Sequence, residues 1–496
     1  MKKILFILIA FLFIQNMQAQ KETNIWHFGY NSGLDFNNPV NSVIGNDCWW
    51  NGTSWSYTYN IAIPNVPKVI SGYVYTNEGC FSISDSSGNL LLSSDGITLY
   101  DKNGTALNSN SLGGHPSATQ SGIVIPKPEN SNSFYIASVS HERQGRLQYA
   151  EVNMSLNGGL GGIISQNNYL TTFNVDENIA AIPHSNGTDY WLINRTQNTY
   201  HVWAITALGI TFSYSIPTGS SALSYYDFIG ELIISPDGTR ITALTFDRNE
   251  VLTADFDPST GQIANTQSRL LGSNPYYGFY GGCFSPNGEY LYFSLTQLTA
   301  YVYSAYCISW TDLRGTGTPN YIPPVSNIHR GPDGRLYGIR VDSRQLFIVK
   351  NPNVGDLHMQ YIDNYFSATQ YPRAGLPTFL SSYLKTDLSI YPLACNRNPR
   401  EISVEITSGG ASPATTIDWD FGDGTVITGQ PITINTTKTY SQVHTYATSG
   451  IKTITITPKA ADGTPKPAQT FQIEVIPCAI KTNRVIRSNL KNLGEP

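Results

Sequence analysis

The sequence predicts an all-β protein in two parts, a β-propeller over residues 24–392 followed by a smaller antiparallel sandwich over residues 395–478. Three observations carry this prediction. The composition is turn-rich and aromatic, with 43 Gly, 28 Pro and 31 Tyr, while charged residues make up only 13% against roughly 25% in soluble globular chains. Along the first part, a Gly-containing turn between short apolar runs returns about every 50 residues, the interval of propeller blades. Beyond Leu393 the repeat stops and Thr, Ile and Val alternate instead, the pattern of strands buried on one side. A chain of 496 residues also exceeds what one ordinary core accommodates.

The N-terminus reads as a secretory signal peptide over residues 1–20. Lys2 and Lys3 precede an apolar run from Ile4 to Ile14, and Gln18-Ala19-Gln20 places a small residue near the cut. That run is shorter than the roughly 20 residues of a membrane span. No Cys stands at the cut, so a lipid anchor is not expected. Export makes disulfides available to the six Cys. The formal net charge is −5 and no basic block occurs, which excludes nucleic acid and disfavours acidic lipid as partners.

The clearest copies of the propeller repeat are Ser235-Pro236-Asp237-Gly238, Ser285-Pro286-Asn287-Gly288 and Gly331-Pro332-Asp333-Gly334. Weaker copies are Ser84 to Gly88 and His184 to Gly187, and Asn130 to Ser133 fills the remaining interval. Pro sets φ at the first corner of such a turn and Gly supplies positive φ. At about 50 residues per blade the region holds seven blades, with six and eight as the neighbouring counts. Six turns for seven blades imply that the last blade is closed by N- and C-terminal strands, with Trp26-His27-Phe28 and Leu346-Phe347-Ile348-Val349 as the candidate pair.

In the second part, Ile417-Asp418-Trp419-Asp420-Phe421-Gly422-Asp423-Gly424-Thr425, then His444-Thr445-Tyr446 and Gly450, closely resemble the signature of the PKD domain. That family is an immunoglobulin-like β-sandwich of bacterial surface proteins and secreted enzymes. The resemblance implies structural roles for Trp419, Asp420, Phe421, Gly422, Asp423, Gly424, His444 and Tyr446. Lys452 departs from the family's apolar preference, which bears on the register of the strand after Gly450. Residues 479–496 form a mildly basic tail.

The motifs Asn24 to Gly29, Gly33 to Phe36, Asn77 to Cys80, Gly88 to Leu91, Ser94-Asp95-Gly96 and Gln120 to Ile123 resemble, in order, the propeller region of large PKD-containing proteins of gliding bacteria that use the type IX secretion route. The resemblance implies an extracellular or outer-surface role. Such proteins often end in a sorting domain that this sequence does not carry, so a periplasmic location stays open.

Enzyme signatures are mostly missing. The sequence has no Gly-x-Ser-x-Gly elbow, no His-Glu-x-x-His and no paired Cys-x-x-Cys, so no cofactor and no metal site is expected. Ser94-Asp95-Gly96-Ile97-Thr98 fails the spacing of a sialidase Asp-box, and Gly158 to Gly162 precedes no helix pattern. One constellation keeps catalysis open. Glu78, Glu177 and Glu231 stand at similar offsets before the blade turns, where innermost strands converge on the channel mouth. Paired carboxylates there suit glycosidic acid/base work or a cation; the alternative is that they cap backbone amides where strands begin.

A second candidate is the segment from Cys48 to Tyr57, in which Trp49, Trp50, Trp55 and Tyr57 concentrate aromatic surface suited to stacking on sugars or to protein hot spots. Loop packing is the alternative. Asp418, Asp420 and Asp423 alternate into a turn and read as structural rather than calcium-binding. A disulfide between Cys395 and Cys478, which bracket the sandwich, is expected to stabilise it; Cys48 with Cys80 and Cys283 with Cys307 are weaker pairings. The function expected is a secreted, non-catalytic binding or adhesion protein recognising protein or polysaccharide. The alternatives are a glycan-active propeller enzyme with an accessory PKD domain and a structural partner of the gliding or type IX export machinery.

Overall fold

The computed structural model describes residues 21–220, 226–246, 249–271, 277–297, 303–384, 393–395, 399–408, 412–448, 450–466 and 468–476. The chain divides into two units, 1–386 and 387–496. Residues 1–20, read above as a signal peptide, the tail over 479–496 and Cys478 lie outside the described residues, and with Cys478 the expected bridge to Cys395.

The described residues of the first unit form seven blades in six hydrogen-bonded sheets, because blades 1 and 7 share one sheet. Blade 1 contains β1 (Ile25–Phe28), β2 (Tyr30–Trp50) and β3 (Trp55–Tyr75). Blade 2 is β4 (Phe81–Ser84), β5 (Leu90–Ser94) and β6 (Leu99–Asp101), and blade 3 is β7 (Gly122–Pro126), β8 (Ser133–Ser138), β9 (Arg146–Asn153) and β10 (Gly162–Asn174). Blade 4 comprises β11 (Ile179–Pro183), β12 (Tyr190–Thr196), β13 (Thr199–Thr206) and β14 (Gly209–Pro217). In blade 5 the strands are β15 (Leu232–Ile234), β16 (Arg240–Leu244), β17 (Glu250–Asp257) and β18 (Gln262–Leu270). Blade 6 follows with β19 (Tyr277–Phe284), β20 (Tyr290–Gln297), β21 (Tyr303–Ser309) and β22 (Asn320–Ile322), and blade 7 with β23 (Asn327–Arg330), β24 (Leu336–Ile339), β25 (Leu346–Val349) and β26 (Met359–Ile362). The first strand of each blade is the innermost, and these strands neighbour one another in order from β1 through β4, β7, β11 and β15 to β19 and β23. Trp26 closes the ring by packing on His329 and Tyr337 of blade 7.

All six turns read from the sequence join the first and second strands of blades 2 to 7. Gly238 N donates to Ser235 O at 2.9 Å and Gly288 N to Ser285 O at 2.8 Å, with φ of +77° and +73° at the two glycines. This is a type I turn closed by a left-handed residue, which tightens a hairpin without splaying its strands.

The ring closes through other strands than the sequence suggested. Trp26, His27 and Phe28 pair with Leu34, Gly33 and Ser32 of β2, while β25 is flanked by β24 and β26. A strand paired on both sides has no free edge to offer. The N- and C-terminal chains meet instead where the far half of β2 joins β26, with Asn46 opposite Tyr361 and Cys48 opposite Met359.

After β26 the chain returns to the hub. Tyr371 bridges Tyr30, Ala374 N donates to Asn77 O at 2.8 Å and Thr378 N to Cys80 O at 2.9 Å. Phe379 packs on Trp26 and His329, Leu380 shares a cluster with Ile125 and Ile179, and Ser381 reaches Ala181 O. A segment touching blades 1, 2, 3, 4 and 7 occupies the channel itself. Gly375 is required there, since a Cβ would stand 2.1 Å from Glu78 O.

The second unit pairs β27 (Leu393–Cys395), β33 (Gln469–Ile476), β32 (Gly450–Ala460), β29 (Ala414–Asp420) and β30 (Val426–Pro431) in one sheet, and β28 (Pro399–Ser408) with β31 (Thr436–Thr445) in the other. Trp419, Phe421, Ile454 and Ile456 fill the space between them. The strand after Gly450 keeps regular register through Lys452, which lies opposite Ile473.

Two expected disulfides are overturned, since Cys48, Cys80, Cys283 and Cys307 are free and buried. Cys283 and Cys307 flank Tyr292 from opposite sides. Two strand spacings, roughly 10 Å, separate them, beyond the reach of a disulfide.

Candidate binding arm and channel mouth

β2 and β3 are each 21 residues long and run on past blade 1 as an arm laid along blade 7, where β2 pairs with β26. The segment expected as a loop is the end of this hairpin, turned at Asn51–Ser54, where Asn51 N donates to Ser54 O at 3.1 Å. Asn51 Oδ1 accepts from Thr53 N and Ser54 N, which fixes the turn. Residues opposite each other in an antiparallel pair share a face. Trp50 pairs with Trp55 and Cys48 with Tyr57, so Trp50, Trp55, Tyr57 and, two residues on, Tyr59 lie on one face.

Trp50 meets Trp55 edge-on at 5.3 Å and Tyr321 at 6.0 Å. Tyr57 and Tyr59 are stacked with ring centroids 5.9 Å apart and stand 46% and 62% exposed. Trp49 faces the other way and stacks on His358 at 4.7 Å, whose Nδ1 lies 3.1 Å from Asp47 Oδ2. The three tryptophans are thus half-buried and the exposed rings are tyrosines. Tyr59, Tyr321 and His358 were not singled out from the sequence; Tyr59 was within reach, two residues beyond Tyr57 on an alternating strand.

The three glutamates do converge at the mouth. Tyr280 of blade 6 reaches across the channel and donates its hydroxyl to Glu78 Oε2 at 2.9 Å. Glu177 accepts from Thr119 N at 2.8 Å, from Thr119 Oγ1 at 3.0 Å and from Glu142 N at 2.7 Å. Glu231 accepts from Gly282 N at 3.0 Å and Asn327 Nδ2 at 2.8 Å. Gln120, just ahead of β7, ties blade 3 to blades 4 and 5, since its Oε1 accepts from Ile179 N at 3.1 Å and Leu232 N at 2.9 Å. Inner strands are sheet edges with unpaired amides, and these side chains satisfy them.

Burial disfavours charge. It pushes Glu78 up to about 8, with Glu177 adding repulsion, and raises Glu177 and Glu231 to about 7 each. Glu177 and Glu231 therefore fulfil the amide-capping alternative. Glu78 differs, because it accepts from a side chain across the channel and keeps some accessible surface. Tyr280 and Asn327 carried no sequence signal, since neither belongs to a recognisable repeat position.

In the sandwich the signature residues brace one corner. His444 stacks on Phe421 at 4.2 Å, meets Tyr446 edge-on at 4.5 Å and places Nε2 2.8 Å from Asp423 Oδ2. Asp423 and Asp420 hold the turn through Thr425 N and Gly422 N, at 3.0 and 2.9 Å. Gly422 and Gly424 adopt φ of +73° and +93° there. Asp418 pairs with Lys459 at 2.6 Å. The aspartates are thus spent on separate partners, and no cluster fit for a metal occurs among the described residues.

A family model for the PKD domain matches residues 391–475. No curated protein matches the chain. Among solved structures, a putative 6-phosphogluconolactonase from Bacteroides fragilis is similar at 14% identity over 68% of this chain and 99% of that one, with a TM-score of 0.44. A periplasmic gluconolactonase of Pseudomonas aeruginosa aligns at 11% identity over 65% and 96%, TM-score 0.39. A β-propeller domain from Myceliophteria thermophila aligns at 12% over 69% and 97%, TM-score 0.35. No functional argument rests on these likenesses.

Proposed function

We propose that this is a secreted, non-catalytic binding protein that recognises protein or polysaccharide at the cell surface through the aromatic face of the β2–β3 arm. The observation that carries the reading is the stacked, exposed pair Tyr57 and Tyr59 beside Trp50, Trp55 and Tyr321. Flat aromatic rings with few charges nearby suit the apolar faces of sugars or a protein hot spot. The PKD sandwich is a spacer or second contact module in this reading. Export rests on the segment from Lys2 to Gln20, and an association with gliding or type IX export proteins on the resemblance of the N-terminal motifs. The test is a polysaccharide array and a pull-down with the mature protein and its Tyr57→Ala/Tyr59→Ala variant. Binding by the parent that the variant loses supports the arm, and binding unchanged in the variant removes it from the site.

A glycan-active enzyme is the second reading, favoured by Glu78, a carboxyl raised to about 8 beside Glu177, as a general acid requires. Glu78→Gln abolishing hydrolysis of an array glycan, with the fold intact, would establish it.

A further inference from the structure

Beside Glu231, the inner strands and the threaded segment line a small cavity of about 50 Å³. That holds a few water-sized bodies and no sugar ring. Its polar lining includes Gln120, Glu231, His329, Arg330, Thr378 and Ser381.

Arg330 ends β23 and is 3% exposed. Among the described residues its Nε has no hydrogen-bond partner, its contact from Nη1 to Phe284 O is long at 3.5 Å, and no carboxylate pairs with it. Asp237 acts on it from a distance but gives its own oxygens to Ser235 and Thr239. Burial lowers Arg330 only to about 10, so it stays charged at neutral pH. At pH 6 the other titratable groups lining the cavity bring little compensating charge. His329 is held neutral by burial, at about 4, and the Cys283 thiol is pushed up by burial. Glu231 is raised to about 7 and is already occupied by Gly282 N and Asn327 Nδ2.

The backbone adds donors. Leu232 turns both its N–H and its carbonyl toward Gln120 in the channel, so by strand alternation Ile234 faces the same way. Phe284 O meets Arg330 and Ala181 O meets Ser381, and the N–H of each residue shares the direction of its carbonyl.

We propose that the cavity binds a small monovalent inorganic anion of chloride size, seated between the Arg330 guanidinium and the inward N–H groups of Ile234 and Phe284. A buried cation without a counter-charge is among the most costly features of an interior, and charge-assisted bonds from a guanidinium and amides are the strong ones. The anion would join blades 5, 6 and 7 to the segment in the channel. Because only the folded ring offers this site, the anion stabilises by mass action.

The experiment follows the propeller transition of the whole protein by calorimetry at pH 6, in sodium gluconate progressively replaced by sodium chloride at constant ionic strength. Gluconate is too large for the cavity. The expected result is a saturable rise in Tm of about 2–4 °C, absent in Arg330→Met. A flat Tm, or a rise that Arg330→Met retains, overturns the proposal. Should Arg330→Met fail to fold, crystals grown in bromide decide: an anomalous peak beside Arg330 supports the site, and its absence means the cavity holds water alone.

Discussion

The glutamates of the ring and the aspartates of the sandwich signature carry the same functional group and end with opposite acid strength. Glu78, Glu177 and Glu231 are raised, with burial the largest cause. Asp418 and Asp423 are lowered: Asp418 chiefly by its bond to Lys459, and Asp423 by His444 and Thr425 N, which outweigh its burial. The difference lies in what the fold supplies. A ring of inner strands offers neutral amides and takes water away, whereas the sandwich surface offers Lys459 and His444 as partners and leaves water close. The same functional group therefore stabilises the sandwich as an anion and burdens the ring as one.

The largest expected effect tests the apolar side of this contrast. Trp419→Ala, at a fully buried position, should cost the sandwich about 3–5 kcal/mol and leave the propeller transition in place, read as two separate calorimetric transitions. Next, Glu231→Ala strands Gly282 N and Asn327 Nδ2 and should cost the ring about 2–4 kcal/mol, while Glu231→Gln, which still accepts hydrogen bonds, should cost clearly less. Equal losses in the two variants would show that charge, and not amide capping, is what Glu231 contributes.

A pH titration separates the units further. Between the usual carboxyl value of 4.5 and about 7–8 the folded ring holds protons on its glutamates that the unfolded chain has released. Stability from these groups therefore falls as pH rises through that window. His27 and His329, both lowered to about 4 from 6.5, act in the opposite sense below 6.5, because there the unfolded chain takes up protons that the buried rings refuse. From pH 6.5 to 8 the glutamates act alone, so the propeller Tm should drop by a few degrees. The lowered aspartates lose their contribution only below their usual 3.8, so they leave the sandwich Tm flat over the same range. A propeller Tm that rises from pH 6.5 to 8 would contradict the burial argument. The smallest effect belongs to the arm: Tyr57→Ala/Tyr59→Ala should change ring stability by under about 0.5 kcal/mol per residue, measured by urea denaturation.

Much of this was legible in the sequence because it is local. A Pro-Asp-Gly turn specifies its own geometry, so the blade interval and the first-to-second-strand hairpins followed from it. The glutamates followed from the same interval, since similar offsets in a closed ring bring side chains toward one channel. Pairing between distant strands was not legible. Period-two patterns say which face is buried and nothing about which edge is free, so β1 and β25 were matched wrongly while β2 and β26 went unnoticed. The cysteines failed for the same reason, as Cys283 and Cys307 share a sheet with Tyr292 between them. The channel segment gave no signal, because Gly375, Pro377 and Thr378 carry no strand pattern and are ordered only by the hub they enter.

That segment also gives the ring a mechanical character. Residues 374–380 lie alongside the innermost strand of blade 2, in a parallel bridge at Cys80 and Pro377, with apolar side chains lodged on several sides. A pull on the chain beyond Leu384 would load these contacts along their length, so that they resist together rather than opening one after another. Pulling a single molecule from that end should therefore meet one high yield force and then an abrupt collapse of the whole ring, instead of seven small steps as blades peel away.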